Sequence, residues 1–162
     1  AILSAKKGIG NKKVTLIADG GIKFSGDIPK ALAAGADAVM IGSLFAGTKE
    51  SPGKIIKKNG KYFKSFRGMG SIGAMNKGSA DRYFQTKQKD ISKYVPEGVE
   101  GLVKYKGSVD KIVFQLIGGL KSSMGYLGSK NVKSLRIKPK FVKITKAGFY
   151  ESMVHNIDQV LK

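Results

Sequence analysis

Two short apolar runs end in residues suited to a phosphorylated ligand. Val14-Thr15-Leu16-Ile17-Ala18 stops at Asp19-Gly20-Gly21, and Ala38-Val39-Met40-Ile41 stops at Gly42-Ser43. Small residues at a strand end leave backbone N–H groups open to approach, and neighbouring loops of this kind can cradle a phosphate. Asp19 stands at the same edge, where a carboxylate can accept both hydroxyls of a ribose; the plainer reading of these residues is a turn and nothing more. The glycines of Arg67-Gly68-Met69-Gly70-Ser71 let the backbone come close to a flat ligand, although a flexible loop has the same composition. Asp81-Arg82-Tyr83-Phe84 sets a guanidinium beside a phenol. Arginine is a poor base at its ordinary pKa above about 12, so the residues alone read Arg82 as an anion or ion-pair partner. Glu97-Gly98-Val99-Glu100-Gly101 offers a carboxylate on a glycine-flanked turn, and His155, alone near the end, reads as a surface or capping residue.

Composition narrows the chemistry. The 162 residues contain no Cys and one His, which excludes disulfides, thiolate metal sites and a cysteine nucleophile within them, and makes a His-based metal centre implausible. No apolar run approaches the roughly 20 residues that span a bilayer, and the first ten residues lack the apolar core of a signal peptide. The chain also starts without Met, as a segment of a longer product would. The net charge of +19 is uneven: residues 1–50 hold 7 lysines and 4 acids, residues 51–162 hold 23 basic and 7 acidic residues. Such a field attracts nucleic acid, acidic membrane or phosphorylated ligands. Yet 27 of the 30 basic residues are Lys, scattered singly or in pairs, whereas base readout and planar phosphate clamps favour Arg. A solvated lysine surface is the leading reading, and nucleic acid is not expected as the main partner.

The elements that must position these residues follow from local pattern. The two apolar runs read as buried parallel strands. Between them, Asp27 can cap, Pro29 suits a first turn, Ala31-Leu32-Ala33-Ala34 propagates a helix and Gly35 can stop it, which makes a βαβ unit. Lys54 to Phe66 alternates polar and apolar around Asn59-Gly60, the signature of a hairpin with a type I′ turn. Arg67 to Ala80 is a mobile loop by composition. Ile112, Leu116, Leu120 and Met124, with Val113 and Ile117 beside them, form one helical stripe over 108–124, and Gly118-Gly119 inside it points to close packing. Gly125 and Gly128 end that helix. A short helix near Val132–Arg136, a strand Phe141–Thr145 and a tail from Lys146 complete the pattern.

Taken together, the segments Ile17–Ile22, Gly26–Ile28, Ala31–Met40, Gly42–Thr48, Ser51–Gly53, Arg67–Ser71, Gly78–Phe84 and Glu97–Gly101 closely resemble, in order, the C-terminal part of inosine-5′-monophosphate (IMP) dehydrogenases. The resemblance runs from about Val14 to His155. GMP reductases share the phosphate motifs, whereas Arg82-Tyr83-Phe84 and Glu97-Gly98 look like the dehydrogenase. The fold implied is α/β, the C-terminal portion of a (β/α)8 TIM barrel with an inserted flap, incomplete in this chain, since a barrel takes about 250 residues. Residues 1–53 would be the last two βα units, 54–100 the flap, 101–146 the final helix and terminal strand, and 147–162 a tail.

The resemblance also implies an activity: oxidation of IMP to XMP with NAD, a step towards guanine nucleotides, in a cytoplasmic homotetramer that uses K+. By motif, Asp19 would hold the ribose hydroxyls and Gly21, Gly42 and Ser43 the 5′-phosphate, with Gly20 and Phe66 also in the IMP site. Met69 and Gly70 would meet the purine through their backbones, with Glu97 on its N1 side. Arg82, supported by Tyr83, would activate the hydrolytic water. Carbonyls of Glu151, Ser152 and Met153 would bind potassium. Three departures stand out. The family's cysteine loop and first six strands precede the segment resembling Ala1, so the chain is expected to need that missing N-terminal barrel segment as a partner and to be inactive alone. Phe66 replaces the family's usual Tyr, at a cost of about 1.5–3 kcal/mol for one lost charge-assisted hydrogen bond. Met153 stands where His is common. The alternatives are a non-catalytic binder of purine nucleotide or phosphate and, less favoured, a lysine-rich nucleic-acid-binding module.

Overall fold

The computed structural model describes residues 1–86, 90–137 and 139–153. Strand β1 (Ile17–Asp19), helix α2 (Asp27–Ala33) and strand β2 (Ala38–Met40) form the expected βαβ unit, preceded by helix α1 (Ile2–Ile9). The strands are parallel, with Ile17 opposite Ala38, Ala18 opposite Val39 and Asp19 opposite Met40. β1 starts later than the apolar run suggests and includes Asp19. The reason lies in Asp37, whose carboxylate accepts the Leu16 N–H at 2.8 Å while its own N–H donates to the Leu16 carbonyl at 2.7 Å. Residues before Leu16 have no such partner, and Val14 folds into a local turn onto Lys12.

Asp27 does not cap α2. It is the first helical residue, and its carboxylate reaches back to the N–H groups of Lys23 (3.0 Å) and Phe24 (2.9 Å), closing the loop after β1. Gly35, at φ +110°, ends the helix in a conformation that side chains resist. Ala18, Ile22, Ile28, Ala31, Leu32 and Ala36 form the core with Leu116 of helix α4 (Val109–Tyr126) and Leu135 of helix α5 (Val132–Leu135). Ile112, Leu120 and Met124 pack at its rim, so the predicted stripe faces the core; Ile117 lies off it, 46% exposed. Gly119 admits Ser25, whose side chain occupies the space a Cβ would need, whereas Gly118 faces open space. α4 runs to Tyr126, past Gly125.

Arg136 joins α5 to the βαβ unit. Its guanidinium donates to the Ala36 carbonyl at 2.7 Å and pairs with Asp37 at 2.9 Å. The Asp37 carboxyl is held below its ordinary value, first by the Leu16 N–H; desolvation opposes this and Arg136 adds to it. A lowered folded-state pKa contributes stability above the unfolded value, near 4, that is lost as pH falls through the folded one. Unfolding midpoints of wild type and Asp37→Asn should therefore differ at neutral pH and converge below about pH 4. A gap independent of pH would show that the charge contributes nothing.

A second, three-stranded sheet follows. Strands β3 (Ile55–Lys58) and β4 (Lys61–Arg67) are antiparallel around Asn59 (φ 50°) and Gly60 (φ 73°), the expected type I′ turn. Strand β5 (Glu100–Lys104) pairs antiparallel on the other side of β4, with Arg67 opposite Glu100. Residues 67–86 are not a structureless loop. Helix α3 (Ile72–Ala74), a π turn Met75–Ser79 and a 3-10 turn Ala80–Tyr83 follow one another, with Met75, Ala80 and Tyr94 buried together. Ser71, itself buried, caps α3 through its Oγ.

The expected strand Phe141–Thr145 does not form: these residues have no regular structure and are exposed, with no sheet edge against them among the described residues. Thr145 instead caps helix α6 (Lys146–Glu151), accepting the Gly148 N–H at 3.1 Å. Among the described residues, no helix is long and apolar enough to cross a membrane. His155 lies outside the described residues.

Candidate functional site

The parallel register brings the two strand-end loops side by side. Because Asp19 lies opposite Met40, Gly20-Gly21 and Gly42-Ser43 leave the sheet at the same edge. Gly20 and Gly21 both adopt positive φ, 87° and 82°, a pair of conformations for which glycine is suited. Asp19, Gly20, Gly21, Gly42 and Ser43 lie at that open edge, and all five are exposed. The Gly42 carbonyl accepts the Phe45 and Ala46 N–H groups, each at 3.0 Å, which closes a tight turn after β2.

Beside that turn lies an open cleft of about 1300 Å³ between the βαβ unit and the second sheet. Gly42, Phe66, Met69 and Arg82 of the candidate residues line it, with Phe45, Ser51, Lys54, Arg67, Lys77 and Ser79. Four cations face one carboxylate, Glu100, and that carboxylate is engaged by the Gly73 N–H at 2.9 Å. The cleft thus suits an anion with a flat apolar portion.

A third group converges on Gly70. A Cβ there would lie 2.9 Å from two ring carbons of Tyr83 and 3.2 Å from the Glu97 Cβ. The Gly70 carbonyl accepts the N–H groups of Glu97 (2.9 Å) and Gly98 (3.0 Å), and the Met69 carbonyl accepts Ser79 Oγ at 2.6 Å. Both lone pairs of the Gly70 carbonyl are therefore used within the chain, which leaves its N–H as the group for a ligand. Tyr83 is half-buried against Met75, Ala80 and Tyr94, while Arg82 next to it is exposed at the cleft.

Glu151, Ser152 and Met153 do not join this site. They lie at the C-terminal end of α6, within an exposed stretch from 141 to 153. Helix C-termini carry the negative end of the macrodipole, so carbonyls there suit a cation. Among the described residues no cluster of His, Cys, Asp or Glu could hold a metal.

Sequence reasoning missed two lysines. Lys64 on β4 is only 2% exposed, and its ammonium donates to the carbonyls of Lys49 (3.0 Å) and Ser51. Lys106, after β5, donates to the carbonyls of Ser43 and Leu44. Neither carries a local signal; only the inward phase of Lys64 on an alternating strand sets it apart. Glu50 was also overlooked. Its carboxylate accepts the Val109 N–H at 2.8 Å, and that bond is the first cause holding its pKa below the ordinary value.

The parallel pair, the loops at its carboxyl edge and the sheet inserted after β2 define part of an α/β barrel of the TIM type, a fold that places its sites at that edge. The sequence matches the IMP dehydrogenase / GMP reductase domain over residues 1–155, and the chain belongs to that family. It is 57% identical over 159 residues to an inosine-5′-monophosphate dehydrogenase of Chlorobaculum parvum, which is 97% of this chain and 32% of that protein. The Bacillus subtilis enzyme of the same name is 59% identical over 143 residues, 88% of this chain and 29% of that one. A crystal structure of a GMP reductase variant from Trypanosoma brucei in complex with guanosine 5′-monophosphate superposes with a TM-score of 0.80 at 44% identity, covering 96% of this chain and 31% of the other. The chain thus spans about a third of the length of these relatives.

Proposed function

We propose that these residues are the mononucleotide-binding and flap portion of an IMP dehydrogenase, and that the complete protein converts IMP, NAD+ and water into XMP, NADH and a proton. The observation that supports this most is the convergence at Gly70, where Tyr83 of the Arg82-Tyr83 pair and Glu97 meet the Arg67–Ser71 loop. The flap motifs are the part of the resemblance that favours dehydrogenase over reductase, and the identities of 57% and 59% to dehydrogenases against 44% to the reductase structure point the same way.

Each group then has its own part in the chemistry. N–H groups of Gly20, Gly21, Gly42 and Ser43 bind the 5′-phosphate, and Asp19 accepts the ribose hydroxyls. Met69 and the Gly70 N–H meet the purine edge, with Glu97 at its N1 side. Phe66, without a hydroxyl, offers the cleft a ring face. Arg82, beside the packed Tyr83, activates the attacking water; a guanidinium has no lone pair for the water's proton, so the proton leaves either to Arg82 as its neutral guanidine or through a relay in the closed site. NAD supplies the hydride acceptor; the cleft, with two phenylalanines and four cations, is of a size and character to admit its flat ring and phosphates, and no single residue is assigned to it. The thiolate that adds to the purine must come from outside these 162 residues, which contain no Cys, so alone they would bind but not oxidise. By this reading residues 1–53 are the last two βα units of the barrel, 54–100 the flap, 101–146 the segment with the final helix, whose expected terminal strand does not form here, and 147–162 a tail whose Glu151–Met153 carbonyls hold K+ with a neighbouring subunit of a cytoplasmic homotetramer.

Turnover by the complete protein tests this reading. IMP with NAD should yield NADH and XMP in equal amounts. Consumption of GMP with a reduced nicotinamide, and no reaction of IMP with NAD, would assign the reductase instead.

A further inference from the structure

The turn after β2 is gripped from outside by a single charge. Lys106 Nζ donates to the Ser43 carbonyl at 3.2 Å and the Leu44 carbonyl at 3.1 Å. In a trans peptide the N–H points opposite to the C=O. An ammonium that draws the Ser43 carbonyl to one side therefore turns the Leu44 N–H to the other. The next N–H, of Phe45, returns to the Gly42 carbonyl at 3.0 Å, so that peptide is fixed inside the turn. Lys106 is itself held in place. Its N–H donates to the Gly47 carbonyl at 2.8 Å, the Lys49 N–H donates to the Gly107 carbonyl at 2.8 Å, and Thr48 and Gly107 form a parallel bridge.

We propose that Lys106 is a positioning residue for anion binding: by holding the Ser43–Leu44 peptide it turns the Leu44 N–H towards a phosphate, as one more donor beside the Gly42 and Ser43 N–H groups, and it ties that turn to the end of β5. This rests on the mononucleotide reading above. Lys106 need not touch the ligand; its effect passes through two carbonyls, with its positive charge adding to the local field. Lys64 is the internal contrast. It grips the same segment further on, at Lys49 and Ser51, and away from Gly42 and Ser43.

The experiment is calorimetric titration of the complete protein with IMP and with inosine, which lacks the phosphate. Wild type, Lys106→Met, Lys106→Arg and Lys64→Met are compared. Lys106→Met should weaken IMP about tenfold and leave inosine unchanged, the size expected when one backbone N–H is turned away from a charged phosphate. Lys106→Arg should recover most of the loss. Lys64→Met, a general loosening of the segment, should weaken both ligands by the same factor. IMP affinity unchanged in Lys106→Met would overturn the proposal, and so would equal losses for IMP and inosine. A wild-type protein that bound inosine but gained nothing from the phosphate of IMP would overturn the mononucleotide reading itself, and this proposal with it.

Discussion

Replacing Arg82 by alanine or lysine in the complete protein should leave the first burst of NADH intact and slow every turnover after it. Hydride transfer needs the purine positioned, which Asp19, the strand-end loops and the Gly70 loop would do. Hydrolysis needs a proton taken from water, and a positioned acid–base group typically contributes about 10²–10⁴-fold to such a step. Arg82, to which the proposed function gives that task, is exposed at the cleft and one residue from a Tyr83 that is wedged against Gly70. Pre-steady-state absorbance separates the two steps. A burst reduced by the same factor as the steady-state rate would remove Arg82 from the hydrolytic step and leave it the anion partner that its chemistry first suggests.

The second large effect is expected at Gly47. A Cβ there would overlap the backbone carbonyl of Lys104, the last residue of β5. Unlike a flexible side chain, that carbonyl cannot swing aside. Gly47→Ala must push β5 away from the turn after β2 and strain the Lys106-to-Gly47 bond, and overpacking of this kind costs about 1–3 kcal/mol. The melting temperature should fall by several degrees. Gly118→Ala is the matched comparison: its Cβ meets open space in a helix, and the change should raise stability by up to about 1 kcal/mol. A Gly47→Ala melting temperature equal to that of wild type would mean the two segments do not pack as described.

What could be read in advance was whatever a short window encodes. The βαβ unit, the Asn59-Gly60 turn and the α4 stripe each follow from periodicity or from turn chemistry confined to neighbouring residues. The features that could not be read depend on distant partners. β1 begins only at Ile17 because Asp37, in the loop between α2 and β2, replaces a strand neighbour for Leu16. Glu100 and Gly101 belong by composition to a glycine-flanked turn, and with Leu102–Lys104 they become a strand because β4 offers an edge. Phe141–Thr145 has strand-forming residues but, among the described residues, no sheet edge beside it. Ser71 and Met75 gave a loop-like composition, yet their burial, with Met75 beside Ala80 and Tyr94, makes successive helical turns. At the candidate site the glycine loops were visible as motifs, whereas Lys64 and Lys106 were two among 27 lysines until the fold set their ammonium groups on carbonyls.

The joint between Lys106 and the Ser43–Leu44 turn spans 62 to 63 positions along the chain. Closing a loop costs entropy that grows with the logarithm of its length, and contacts made early have to be local ones. The helix-linked strand pair and the tight hairpin meet that condition on their own; the joint does not. It forms after those local pieces, as does the still longer contact of Arg136 with Ala36, 100 positions apart. The segment after β2 is thus linked to β4 and the end of β5 by contacts, Lys106 on Gly47, Lys49 on Gly107 and Lys64 on Lys49 and Ser51 among them, that only the assembled chain supplies.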